Sequence, residues 1–251
     1  MFLAEPLADG PKGKAIMLQA NNFKSLSYLL SIFTPQLNFS SNTILTELMI
    51  GFGKVLDGQL MSLPLPPDAP PEIPRLTLPS ADQRLKLEIS PLRTNLFRSR
   101  TKSDANVNAA EFLALAGRIF ERYMQVTNAV VGRLSSVVVK YEAIQRPGTE
   151  IATHFCKEER LTTVLNRPEN FEIHAHKVYE PDGFKVNSWV RTKTGFLRPE
   201  NEPIVVIEHD LNTLHEELAQ RRFDTQDIKR FHQVADDQHE SVLVKYFPSN
   251  A

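Results

Sequence analysis

The sequence predicts an α+β fold in which helices flank one face of a mostly antiparallel sheet. Residues 171–191 alternate between apolar and polar side chains, and Pro181-Asp182-Gly183 interrupts the alternation midway. A period of two on both sides of a turn signal indicates an antiparallel hairpin with one buried face. Residues 109–126 instead carry apolar side chains at helical spacing, which predicts a long amphipathic helix. The chain therefore contains both kinds of element.

The N-terminal elements are predicted to be a strand followed by two helices. Residues 14–20 form a short apolar run that is typical of a strand. Apolar residues recur every three or four positions over 23–33 and Pro35 follows, so we expect a helix there. A similar stripe predicts a second helix over 41–56, which Gly58 ends.

Proline then separates these helices from a group of strands. Residues 63–74 contain six prolines, which favour a stiff surface connector because proline fixes an extended path. The alternation over 76–89 predicts a hairpin, and residues 92–97 predict a further strand. A polar loop over 98–107 leads into the long helix.

The second half of the chain has a similar plan. Residues 134–144 predict a strand and residues 155–165 a short helix. After the hairpin of 171–191, the apolar run at 204–207 predicts a strand. A final amphipathic helix begins near Asp224 and ends before Pro248.

The order of elements divides the chain into two α+β halves, residues 1–128 and 129–251. These halves either pair their sheets in one continuous domain or stand side by side, and only the element order suggests a duplication. The 251 residues are 41% apolar and 24% charged, which is typical of an ordered globular chain.

Charge and cysteine content limit the possible locations. The formal net charge of -1 argues against a dedicated nucleic-acid or membrane-surface protein, although local patches remain open. No apolar stretch is long enough to span a membrane, and the N-terminus lacks the features of a secretion signal. Cys156 is the single cysteine, so an internal disulfide is excluded, and we expect a cytoplasmic protein.

Three features together resemble a sporadically distributed, functionally uncharacterised family of bacterial α+β proteins. They are the proline-led hairpin at 74–89, the Lys140-Tyr141-Glu142 strand end after the long helix, and the late Glu208-His209-Asp210 strand end. The family favours Arg-Tyr-Asn and Asp-x-Asp at the last two places, so this chain departs from the pattern there. The resemblance implies an accessory or antitoxin-like partner protein from a mobile gene cluster, without catalytic residues to transfer.

The histidines give the strongest indication of a site, because all seven lie in the C-terminal half. His174 and His176 are two apart on a predicted strand and share a face, on which His209 of a neighbouring strand could complete a metal site. The favoured interpretation is that even-numbered side chains over 171–177 are exposed and odd-numbered ones buried. That interpretation requires neither a metal nor a cofactor.

Two further features indicate a binding surface. Residues 75–102 carry an excess of five positive charges. Within this segment, Arg98, Arg100 and Lys102 could bind phosphates or an acidic protein. Trp189, the only tryptophan, falls on the polar face of its strand, where it either contacts a partner or is covered by the C-terminal helix.

These observations favour a non-catalytic interaction protein that binds a protein partner near Trp189, Arg98, Arg100 and Lys102. A metal-dependent enzyme using His174 and His176 is the first alternative, and a nucleic-acid-binding protein using the basic 93–102 loop is the second. The sequence has no Gly-x-Ser-x-Gly elbow and no glycine-rich phosphate loop, which argues against the hydrolases and nucleotide-binding proteins that use them.

Overall fold

The fold is taken from a computed structural model that describes residues 18–35, 39–66, 68–101 and 108–249. Within these residues the strands are β1 (Lys24–Phe33), β2 (Met61–Ser62), β3 (Leu76–Pro79), β4 (Leu85–Ile89), β5 (Arg93–Ser99), β6 (Arg133–Ala143), β7 (Glu172–Tyr179), β8 (Val186–Leu197) and β9 (Glu202–Thr213). The α-helices are α1 (Ser41–Phe52), α2 (Ala109–Thr127), α3 (Pro147–Phe155) and α4 (Thr225–Tyr246). None of the described helices is both long and apolar enough to cross a membrane.

All nine described strands form one antiparallel sheet, which confirms the predicted α+β class. The strand order is β2-β3-β4-β5-β1-β6-β9-β8-β7. β1 and β6 pair in the centre of the sheet, with Phe33 opposite Arg133 at one end of the register. Strands β5, β4 and β3 extend from β1, and β9, β8 and β7 extend from β6 in the same manner.

The helices cover one face of this sheet because each has an apolar side and a defined beginning. The Asn108 side chain accepts a hydrogen bond from the Glu111 amide at the start of α2. At the start of α4, Asp224 and Asp227 form a reciprocal capping box. Buried side chains of α1, α2 and α4 pack against those of β1, β3, β4 and β5 in the largest apolar cluster.

The described helices leave the opposite face of the sheet uncovered, and we call it the open face. The following residues represent it from β4 to β7: Lys86, Glu88, Arg93, Asn95, Phe97, Leu29, Ser31, Phe33, Arg133, Ser135, Val137, Glu208, Asp210, Asn212, Asn187, Trp189, Arg191, Lys193, Glu172, His174 and His176. Most of these residues are polar, whereas the helix-covered face is lined largely by leucine and isoleucine.

Residues 24–33 form β1, so the prediction of a helix over 23–33 was wrong. Tyr28, Leu30 and Ile32 are two residues apart along the chain and are buried on one face, as a strand requires. A β-bulge between Ser25 and Ser27 shifts the register of β1 against β6. One extra residue changes the spacing of apolar positions from two to three, and that local spacing imitates a helix.

Two other predicted elements also differ from the structure. The prediction of a short helix over 155–165 was wrong, because Glu158–Arg160 and Thr163–Leu165 form 3₁₀ turns and the α-helix α3 lies earlier, from Pro147 to Phe155. Proline suits the first turn of a helix, and Gly148 packs so closely on residues 168 and 169 that a Cβ would lie 2.4 Å from their carbonyl oxygens. The strand expected over 14–20 falls mostly outside the described residues, and Ala20 belongs to a 3₁₀ turn.

Candidate interaction surface

Trp189 lies on the open face in β8, where its indole is half-buried. The His176 ring of β7 stacks on it with a centroid distance of 4.4 Å and an interplanar angle of 20°. The Arg191 guanidinium lies 5.4 Å from the Trp189 ring centroid and is ion-paired with Glu208. The described part of α4 contacts the other face, so it does not cover Trp189.

The predicted hairpin is present as β7 and β8, but β7 is exposed on both sides. His174 and His176 face solvent as expected. Ile173 is half-buried, whereas Ala175 and Lys177 are exposed, so the expected burial of odd-numbered side chains was wrong for these two. The reason is that β7 is the edge strand, and the covering helices contact mainly the strands nearer the centre.

The three basic residues predicted to act with Trp189 do not form one patch with it. Residues 93–99 of the predicted 93–102 loop are in fact β5, which lies four strands away from β8. Arg98 points to the helix-covered side, with Tyr28 and Leu85 opposite it in the register. Alternation along a strand explains why Arg98 and Trp189 lie on different faces.

Arg100 lies beyond the end of β5, on the open-face side of the sheet. Its guanidinium is 5.4 Å from the ring centroid of Tyr141, and its Nε is shielded without a hydrogen-bond partner among the described residues. Lys102, the third of the predicted basic residues, lies outside the described residues. The predicted trio is therefore not assembled as a single feature of the described surface.

The alternative metal set of His174, His176 and His209 does not converge. His174 and His176 lie on the open face, whereas the His209 ring points under α4 and contacts His239. The register instead brings Trp189 between His176 and Asp210. Among the residues that the structure describes, no three His, Cys, Asp or Glu side chains group closely enough to hold a metal ion.

A hydrogen-bonded chain of four side chains is buried between the sheet and α4. The Nδ1 atoms of His209 and His239 are 2.9 Å apart, so one of these nitrogens donates and the other accepts. The Nε2 of His209 lies 2.9 Å from Ser188 Oγ, and the Nε2 of His239 lies 2.9 Å from Ser136 Oγ. All four residues are at most 5% exposed, which closes either serine to a substrate.

Burial keeps these histidines uncharged. It lowers the pKa of His209 to about 4 and that of His232 to about 3. The pKa of His239 is also lowered, by burial first and then by repulsion from His209 and Lys140. The clustering of histidines in the sequence therefore does not reflect one site: two are a solvated pair on β7, three are buried and neutral at α4, and His154 and His215 lie apart from both groups.

A row of three residues at one end of the open face includes an arginine that sequence reasoning missed. Arg93 of β5, Phe33 of β1 and Arg133 of β6 lie side by side in the register. The two guanidiniums are 5.9 Å and 4.7 Å from the Phe33 ring centroid. Arg133 and the polar Ser135 are both odd-numbered residues of β6, so alternation along the strand places them on the same face. This alternation was the signal in the sequence that could have placed Arg133 on the open face.

Comparisons with known proteins add no functional argument. No protein-family model and no curated protein matches the chain. A TBP from Methanococcus jannaschii is similar at 13% identity and a TM-score of 0.28, over 86% of this chain and 99% of that one. The di-domain ARO/CYC StfQ from the steffimycin biosynthetic pathway is similar at 11% identity and a TM-score of 0.18, over 88% and 97%. Both TM-scores are too low to support an inference.

Proposed function

We propose that this chain is a non-catalytic interaction protein that binds a protein partner on the open face, with Trp189 as a principal contact. The observation that supports this most is the half-buried Trp189–His176 stack on a face that no described helix covers. Tryptophan is enriched among the residues that contribute most to binding, because it removes a large apolar area from water. A partner would complete the burial of this ring.

The surroundings of Trp189 resemble the polar rim of an interface. Arg191 and Lys193 both approach Glu208 next to the stack, and Lys193 Nζ lies 3.8 Å from a Glu208 oxygen. Such exposed ion pairs contribute little to stability, but they can fix the orientation of a partner. Neither the buried serines nor the solvated histidines make a convergent reaction centre, so catalysis has less support than binding.

The proposal includes a bacterial cytoplasmic location and an accessory role. The basis is the family resemblance at the two strand ends and the single thiol of Cys156, which a reducing compartment would keep free. An accessory subunit needs a stable binding surface and no catalytic group. The open face of a nine-stranded sheet is suited to that role.

Capture of partners by the immobilised chain tests the role of Trp189. The native protein and a Trp189→Ala variant are exposed to lysate of the source organism at equal loading, and retained proteins are quantified by mass spectrometry. We expect the retention of a defined partner to fall by about tenfold or more in the variant, as for other central aromatic contacts. Equal retention by both proteins would contradict the proposal.

Phe196 offers a matched control on the same strand. Its side chain is 63% exposed and lies near α3, away from the Trp189–His176 stack. A Phe196→Ala variant removes an exposed aromatic ring of similar kind without touching the proposed surface. Retention should therefore be unchanged in this variant, and a loss equal to that of Trp189→Ala would indicate non-specific adhesion.

A further inference from the structure

The row formed by Arg93, Phe33 and Arg133 contains two cations without a carboxylate partner. No carboxylate of the described residues lies within the 4.0 Å ion-pair distance of either guanidinium. Arg133 Nε donates to the Thr213 carbonyl at 3.1 Å, and for Arg93 the Phe33 ring is the guanidinium's contact among the described side chains. Both arginines are half-buried and therefore partly desolvated, and neither forms a direct ion pair with a described carboxylate, although Asp210 and Glu216 attract Arg133 from farther away.

We propose that this row is a docking site for an acidic segment of a protein partner, with one carboxylate bound by Arg93 and another by Arg133. The inference rests on the proposed function, because it names the chemistry of the partner that the open face accepts. The strands that carry the two arginines flank β1, which places their Cα atoms about 10 Å apart. Two separate carboxylates fit this spacing better than a single one does.

The Phe33 ring between the two arginines holds them apart and orients them. A guanidinium over an aromatic face keeps its edge free to donate, which favours bidentate recognition of a carboxylate. Burial lowers the pKa of Arg133 most and repulsion by Arg93 lowers it further, while attraction by Asp210 and Glu216 raises it, and Arg133 stays charged. An incoming carboxylate would offset the repulsion between the two arginines.

Three cations elsewhere on the open face are already compensated. Lys86 is paired with Glu88 at 2.7 Å, and Arg191 and Lys193 both lie near Glu208. An added anion gains less at these positions, because it competes with a carboxylate that is already present. The two arginines beside Phe33 would therefore attract a partner's carboxylates more strongly than these three cations do.

The charges of the same face favour an acidic protein segment over a nucleic acid. Glu88, Glu172, Glu208 and Asp210 also lie on it, so a polyanion long enough to cross the sheet would meet repulsion along its path, whereas a short acidic peptide can stay at the row. A peptide can place carboxylates at the two arginines and neutral residues elsewhere.

Fluorescence anisotropy with a short labelled polyglutamate peptide tests the site directly. We expect salt-sensitive binding to the full chain, and a loss of roughly tenfold or more in affinity when Arg93 and Arg133 are both changed to alanine. The Lys86→Ala variant is the matched control, since it removes a cation of the same face that is already paired with Glu88. Its affinity should remain within about twofold of the native protein.

Folding of the variants is checked by thermal unfolding, because Arg133 also binds a backbone carbonyl. Arg93→Ala alone keeps the test decisive, since that guanidinium contacts only the Phe33 ring among the described side chains. We expect a smaller loss of affinity for this single variant than for the double variant. Unchanged polyglutamate binding in a folded Arg93→Ala variant would overturn the two-carboxylate site.

Three other results would also overturn the inference. They are no binding of polyglutamate by the native chain, an equal loss in Lys86→Ala, and tighter arginine-dependent binding of a labelled oligothymidylate than of polyglutamate. None of them affects the capture experiment with Trp189→Ala. A failure of the acidic site is therefore distinguishable from a failure of the proposed function.

Discussion

The helix-covered face is lined differently in the two halves of the sheet. On the N-terminal side, Leu30, Leu87 and Leu96 are all fully buried and pack against α1 and α2. On the C-terminal side, Ser136 and Ser188 occupy the corresponding layer beneath α4. In both halves the four strands follow one another in the same relative order. The same arrangement of strands is therefore compatible with an apolar layer and with a hydrogen-bonded layer under the helices.

This difference shows which part of the molecule makes a pH-dependent contribution to the free energy of unfolding. Packing between aliphatic side chains does not change with pH, because none of them titrates. The C-terminal layer and the helix α4 above it contain buried neutral histidines, His209 in the layer and His232 on α4 against Phe120 of α2, and protonation of either one disfavours the folded state. The predictions below separate the two contributions.

Mild acid should destabilise the protein through the C-terminal layer. The pKa of a histidine in the unfolded chain is about 6.5, whereas in the folded chain His209 is at about 4 and His232 at about 3. As pH falls below 6.5, these histidines bind protons in the unfolded chain but not in the folded chain, so the free energy of unfolding decreases. At about pH 5 the two residues together should lower it by about 4 kcal/mol relative to about pH 7.5.

Urea unfolding at both pH values measures this loss. The lowered pKa of His239 adds to it, whereas the raised pKa values of Asp210 and Asp236 oppose it, because a folded chain that holds protons more tightly gains stability in acid. An equal free energy of unfolding at both pH values would contradict the assignment of these histidines as buried and neutral.

Truncating the apolar layer should cause the next largest effect, and one that does not depend on pH. Leu96 is fully buried in β5, so Leu96→Ala should lower the free energy of unfolding by about 3 kcal/mol through lost burial and a residual cavity. The same urea experiment at both pH values checks it. The acid-dependent loss should be the same in the variant as in the native protein, and a changed loss would mean that the two layers are coupled.

Replacing His232 should give the smallest effect, and of opposite sign. Both ring nitrogens of His232 are buried without a hydrogen-bond partner among the described residues, and Phe120 and Phe231 lie beside the ring. His232→Leu should therefore raise the free energy of unfolding at neutral pH by about 1–3 kcal/mol, because an unsatisfied polar group is removed. The acid-dependent loss should also shrink by about half.

His239→Leu is the control for this gain, since its two nitrogens are both hydrogen-bonded. The change would leave His209 and Ser136 without their shared partner, so stability should fall by about 1–3 kcal/mol. A gain in both variants would indicate that the histidine chain contributes no stability. The sign of the difference between the two variants therefore tests whether hydrogen bonding explains the polar layer.

Elements with a clean period were predictable from the sequence. The hairpin of β7 and β8 and the helices α2 and α4 follow closely from alternation, helical spacing and capping residues. β1 was not predictable from spacing, because its bulge imitates a helical interval. The order of the strands in the sheet depends on contacts between distant residues, which no local pattern encodes.

The position of His209 shows a second limit of sequence reasoning. Ile204, Val205, Val206 and Ile207 are all buried, with alternate residues in two different apolar clusters on the two faces of β9. An apolar run without alternation does not reveal whether its odd-numbered or its even-numbered residues face the helices. His209 could therefore not be assigned to a face, and its partner His239 lies on a helix 30 residues later.

The pairing of β1 with β6 also affects how the chain is made. Phe33 ends β1, and its partner Arg133 in β6 follows 100 positions later. The ribosome therefore needs roughly 5–20 s after β1 to reach β6, the strand that pairs with β1 in the centre of the sheet. Throughout that interval the nascent N-terminal half presents an uncovered strand edge in the middle of what will become the sheet. Two ribosomes translating the same message would bring such edges together, which makes co-translational aggregation the main hazard of this topology.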